Sequence, residues 1–75
     1  MSRTTWIVWS WDARNQAWLQ VDEGTKQYAE ESARYRNTAA EKHGLDDACF
    51  MATPAGAHPG PLPSTAAAAR RGLSQ

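Results

Sequence analysis

The sequence predicts an α+β fold, ββαβ in chain order: a three-stranded antiparallel sheet (order 2-1-3), one helix on one face, and a disordered C-terminal tail. Three observations carry that prediction. Residues 6–11 (WIVWSW) and 17–21 (AWLQV) are aromatic and β-branched runs separated by turn-forming residues. Residues 26–43 contain no Gly or Pro and repeat small residues at helical spacing. From Pro54 onward the chain holds all four of its prolines and no aromatic residue.

At 75 residues and 8.3 kDa the chain has room for one domain. Eight Lys+Arg balance eight Asp+Glu, so no whole-chain field favours nucleic acid or acidic lipid. Leu, Ile, Val and Phe are scarce, but zero net charge and four Trp argue for a small aromatic core. The longest apolar run, Trp6-Ile7-Val8-Trp9, is far short of the roughly 20 residues of a membrane span. No basic segment leads into a long apolar stretch after Met1, and the single Cys49 has no partner for an internal disulfide. A reducing cytoplasm is the expected compartment.

The expected domain covers residues 3–56, and residues 57–75 form the expected tail. Residues 1–56 carry six Lys+Arg against eight acids, a net of −2; Arg70 and Arg71 give the tail +2. A Pro/Ala-rich stretch of this kind buries too little apolar surface to offset the entropy of ordering. Thr65 is placed to cap a turn of helix over Ala66–Ala69, but so short a helix is marginal in water.

The hairpin register decides which residues are inside. Asp12 suits the first position of a type I turn, and Asn15 tolerates a left-handed backbone. Pairing Asp12 with Gln16 sets Ile7 opposite Val21, Trp9 opposite Leu19 and Trp11 opposite Ala17, an all-apolar face. The other face then holds Trp6, Val8, Ser10, Trp18 and Gln20.

Asp22-Glu23-Gly24 ends the second strand, Thr25 caps the helix, and Gly44 closes it in a left-handed conformation. Tyr28, Ala29, Ser32, Ala33, Tyr35, Arg36, Ala39, Ala40 and His43 share the side expected to face the sheet, with Asn37 on the solvent side. Arg36 is expected to lay its stem on an aromatic ring. Residues 48–53 form a third strand stopped by Pro54, which pairs antiparallel with the first. The core is expected to hold Ile7, Trp9, Trp11, Leu19, Val21, Tyr28, Tyr35 and Leu45, with either Phe50 or the Cys49/Met51 pair.

So small a core is marginal alone, and oligomerisation is a common remedy. The open face supplies the candidate site: Trp6, Val8, Ser10, Trp18 and Gln20, covered by a second copy or a protein partner. The alternative is single-stranded nucleic acid stacking on Trp6 and Trp18, disfavoured because only Arg3 and Arg14 lie near the hairpin ends. Enzymatic, cofactor and metal chemistry are not expected. His43, Cys49 and His58 have no ligand spacing, Asp46-Asp47 reads as a solvated turn, and GxxxxGK, GxGxxG and GxSxG are absent.

The pattern W-x-V-x-x-W-D-x-x-x-x-x-W-L-x-V, then an Ala/Glu/Arg helix ending H-G-L, then C-F-M-A-T-P-A-G, resembles short actinobacterial and actinophage proteins of no assigned activity. It spans residues 6–56. The resemblance implies a small cytoplasmic or phage-encoded accessory protein and carries no functional residues. The topology also resembles half of a ferredoxin-like repeat, which suits a chain that completes its sheet by pairing.

Overall fold

The computed structural model describes residues 4–62 and 65–73. Arg3, the first residue of the expected domain, lies outside them. Strands β1 (Trp6–Asp12), β2 (Ala17–Gly24) and β3 (Phe50–Pro54) form one antiparallel sheet in the order β2-β1-β3, with helix α1 (Lys26–Lys42) between β2 and β3. The expected ββαβ architecture is therefore present. A second helix, α2 (Ala66–Leu73), lies in the segment read as a disordered tail.

Local chemistry sets the ends of α1. Thr25 Oγ1 accepts from the Tyr28 N–H at 3.1 Å. Gly44 has φ +68°, which lets its N–H reach Glu41 O and the Leu45 N–H reach Ala40 O, at 3.2 and 2.9 Å. Gly24 answers a different demand: a Cβ there would lie 2.5 Å from Cδ2 of the Tyr28 ring.

The hairpin register differs from the expected one by one residue over Trp9–Asp12 and by two over Trp6–Val8. Asp12 pairs with Ala17, Trp11 with Trp18 and Ser10 with Leu19, and an irregularity between Val8 and Trp9 leaves Val21 as the extra residue of β2. The cause is in the turn. Asp12 accepts from the Arg14 and Asn15 N–H groups and from the Asn15 side chain, at 3.1, 3.4 and 2.7 Å. Asn15 is held by these bonds, and Gln16 takes the left-handed position at φ 52°. Four residues therefore fill the loop, and the second strand slides by one. The Asn15 side chain leads in holding the Asp12 carboxyl below its ordinary range.

The slide separates the residues expected on one face, and the faces of β1 are reversed. Val8 is fully buried against Ala29 and Ala33 of α1, with Trp6, Phe50 and Ala52 packed around it. Ile7, Trp9 and Trp11 alternate to the opposite side. The physical reason is size. A helix presenting alanines approaches a strand closely over Val8 and Ala52, whereas indole rings would hold it away.

The buried stripe of α1 is Ala29, Ala33, Asn37 and Ala40. Tyr28 and Tyr35, expected inside, flank it and are exposed, Tyr35 at 77%. Leu19, Val21 and Leu45 are also exposed rather than core. Arg36 does lie over an aromatic ring, 5.8 Å from the Phe50 centroid, with its Nε donating to Ser32 Oγ at 3.2 Å.

The tail packs on the sheet face away from α1. Trp18, Cys49 and Ala66 are buried together, with Trp9, Trp11, Met51, Leu62 and Ala69 around them. Trp18 Nε1 donates to Gly60 O at 2.6 Å. Trp9 Nε1 donates to Thr53 Oγ1, which donates to Ala57 O, at 2.8 and 3.0 Å. The tail lacks aromatic residues because the sheet supplies them. A composition window sees only the tail's own side chains, so it misses this partner.

Arg70 fastens the far end. It is 2% exposed and donates to Leu45 O, Ala48 O and Glu41 Oε2 at 2.6, 2.8 and 2.5 Å, while Arg71 reaches Glu41 Oε1 at 3.2 Å. The Arg70 hydrogen bond leads in holding the Glu41 carboxyl below its ordinary value. A lowered folded-state value gives stability that is complete above the unfolded value and is lost as pH falls through the folded one. The fastening is thus expected to loosen in acid. Arg70→Ala should loosen it at neutral pH, red-shifting tryptophan emission and opening the fully buried Cys49 to a thiol reagent. A blue-edged emission and an inert thiol in Arg70→Ala would contradict this.

Candidate functional site

The five residues expected to form one partner-binding face are divided by the sheet. Trp6, Val8 and Ser10 point toward α1; Trp18 and Gln20 point toward the tail side. Val8 is 0% and Trp18 7% exposed, so neither is a surface contact. Trp6 is half-buried with Lys26 Nζ 5.6 Å from its ring centroid, Ser10 is half-buried, and Gln20 alone is exposed. The base-stacking alternative loses its platform for the same reason: Trp18 is covered, and its indole N–H is used internally.

What remains open is an edge. The Trp11 N–H donates to Cys49 O and the Ala55 N–H to Thr5 O, so odd-numbered residues of β1 face β3. Even-numbered ones face β2, where Ala17, Leu19, Asp22 and Gly24 are their partners. By alternation, the backbone groups of Trp18, Gln20 and Glu23 point outward. The Glu23 N–H is taken by Asp22 Oδ1 at 2.8 Å. Residues 17–21 carry no charge. Such an edge is a template for pairing with another chain.

The opposite edge is treated differently. Asn37, expected on the solvent side of α1, is 5% exposed and clamps the outward backbone of Phe50. Its Nδ2 donates to Phe50 O and its Oδ1 accepts from the Phe50 N–H, both at 2.8 Å. The amide stands in for a fourth strand. Beyond it Glu30 and Arg34 flank a cleft of about 180 Å³ beside Ala52, and Pro54 ends the strand. A lone polar residue beside a buried alanine stripe was the available sequence signal for Asn37, but its target was not.

Beside the open edge stand exposed apolar groups of β2 and α1. Leu19 is 52% and Val21 42% exposed. Tyr28 OH donates to Asp22 Oδ2 at 2.6 Å, which fixes the helix flank against β2, lowers the Asp22 carboxyl and raises the Tyr28 phenol.

Among the described residues no three His, Cys, Asp or Glu gather as metal ligands, and no helix is long and apolar enough to cross a membrane. Burial pushes the Cys49 thiol up, away from the thiolate a nucleophile needs. Compared with protein-family models, curated proteins and solved structures, the chain matches none.

Proposed function

We propose that the chain is a non-enzymatic interaction module that pairs the outer edge of β2 with a strand of another polypeptide, the favoured partner being a second copy. The observation that carries this reading is the asymmetry of the edges: Asn37 and Pro54 blunt β3, while β2 keeps outward backbone groups over an uncharged stretch. A two-fold axis through Gln20 lets the two Gln20 residues exchange both backbone hydrogen bonds. Leu19 of each copy then lies opposite Val21 of the other, and the two exposed apolar side chains cover each other. Both α1 helices fall on the same side of the joined sheet. In the actinobacterial or phage setting that the sequence resemblance implies, such a module would serve as a cytoplasmic accessory protein.

Gln20→Pro tests the reading cleanly. It removes an outward N–H and leaves the β1–β2 ladder its donors. Light scattering at high micromolar concentration should give a dimer for the unaltered chain and a monomer for Gln20→Pro and Leu19→Arg, with unchanged far-UV circular dichroism. A unaltered chain that stays monomeric, or a dimer indifferent to both substitutions, would refute self-pairing.

A further inference from the structure

We propose that the cleft between α1 and the edge of β3 is a binding site for a small free α-amino acid. The cleft measures about 180 Å³, with Glu30, Ala33, Arg34, Phe50 and Ala52 among its walls. At roughly 30 Å³ per water it has room for about six waters, or for a molecule of about as many non-hydrogen atoms. Drug-sized sites begin at about 300 Å³.

The edge admits one residue and no more. Cys49 O takes the Trp11 N–H and Thr5 O takes the Ala55 N–H, so odd-numbered residues of β3 turn their backbone groups to β1. The outward groups belong to Phe50, Ala52 and Pro54. Asn37 occupies both groups of Phe50, and Pro54 has no N–H. Ala52 therefore offers one N–H and one C=O between two closed neighbours. A strand cannot run through such a gap, but a single residue fills it.

Charge runs in the same direction as the backbone. As the crossover between the parallel strands β2 and β3, α1 runs antiparallel to β3, and Asn37 marks the level of Phe50. Stepping back along α1 to Arg34 and then Glu30 therefore follows β3 onward from Phe50 to Pro54. The Ala52 N–H lies on the Phe50 side, toward Arg34, and its C=O lies on the Pro54 side, toward Glu30. Among the described residues neither the Glu30 nor the Arg34 side chain has an ion pair or a hydrogen bond, whereas Glu41 is taken by Arg70 and Arg71. A free α-amino acid supplies the complement at both ends. Its carboxylate accepts from the Ala52 N–H and the Arg34 guanidinium, and its ammonium donates to Ala52 O and the Glu30 carboxylate. Ala33 and Phe50 leave an apolar wall for a short side chain. The site lies on the edge away from β2, so it stands or falls separately from self-association.

The test titrates the full chain with L-alanine, with N-acetyl-L-alanine (carboxylate alone) and with L-alaninamide (ammonium alone), following backbone amides by NMR. Alanine should shift the Ala52 amide, with a dissociation constant on the order of 1 mM. Each blocked form should bind at least about fivefold more weakly. N-acetylalanine binding as tightly as alanine would give the cleft to a polypeptide C-terminus, and alaninamide doing so would give it to an N-terminus; either overturns the proposal. Glu30 and Arg34 are exposed helix positions, so Glu30→Gln and Arg34→Gln should keep the far-UV circular dichroism while each weakens alanine binding roughly fivefold. Residual binding of N-acetylalanine should fall only with Arg34→Gln, and that of alaninamide only with Glu30→Gln, a split that a merely structural effect does not give. No shift at Ala52 with alanine, or an affinity indifferent to both substitutions, would also overturn the proposal.

Discussion

Replacing Trp18 with Ala is expected to cost about 3–5 kcal/mol, the range for truncating a buried aromatic residue. The ring fills the space between Cys49 and Ala66, meets Trp11 edge-on, and gives its N–H to Gly60 O. Truncation leaves a cavity where the sheet and tail meet. It also strips Gly60 O of its donor, so the tail should detach while β1, β3 and α1 keep their own packing around Val8. Urea denaturation gives the loss of stability, and limited proteolysis in the tail reports the detachment. Gln20→Ser, the exposed residue two positions on, supplies the control and should change stability little. Similar small effects from both substitutions would return Trp18 to the surface, where the strand pattern alone had placed it.

Asn37→Leu is expected to cost about 2–5 kcal/mol although it preserves shape and adds apolar surface. The leucine leaves the Phe50 N–H and C=O without partners beneath α1, and each orphaned buried group costs about 1–3 kcal/mol. Asn37→Asp separates hydrogen bonding from packing. Its carboxylate still accepts from the Phe50 N–H but sets an oxygen against Phe50 O, so it should also destabilise, and protonation should partly restore it. Denaturant midpoints give the energies. Amide exchange at Phe50 gives the location: faster exchange there, ahead of global unfolding, is the expected sign. A stability gain in Asn37→Leu would mean that the clamp contributes nothing.

The elements were legible in the sequence because each is set by local chemistry. Thr25 and Gly44 bound α1, β-branched and aromatic runs mark β1 and β2, and the order β2-β1-β3 follows from a helical crossover that brings β3 back parallel to β2 on the far side of β1. The faces were not legible, because they turn on a single residue of loop length. An aspartate at position 12 is compatible with a three- or a four-residue loop, and the side-chain bonds to Asn15 select the longer. With period-two alternation, that one step moves Trp18 from the side of Val8 to the side of Trp11.

Pattern strength misled in the same direction. An all-apolar face looked like the natural covering for a helix, but α1 brings alanines, and small residues pack closely on Val8 and Ala52 rather than on indoles. The helix therefore takes the smoother side of the sheet. The tryptophans are left to a tail whose composition promised nothing. Arg70 shows the same limit: a basic pair near the end of a Pro/Ala-rich stretch reads as solvated, and only the carbonyls of Leu45 and Ala48, freed past the end of α1, make it a buried anchor. Of the candidate site, Gln20 was named correctly as exposed. The edge it sits on depends on knowing which strand α1 protects.

The central claim is that β1 turns Val8 toward α1 and its tryptophans toward the tail. Methyl and aromatic NOE measurements on the full chain test it most directly. The account predicts cross-peaks from the Val8 methyls to the β-methyls of Ala29 and Ala33, and from the Trp18 indole to Ala66. Cross-peaks from Ile7 or Trp9 to Ala29 and Ala33, with Val8 showing none, would contradict it.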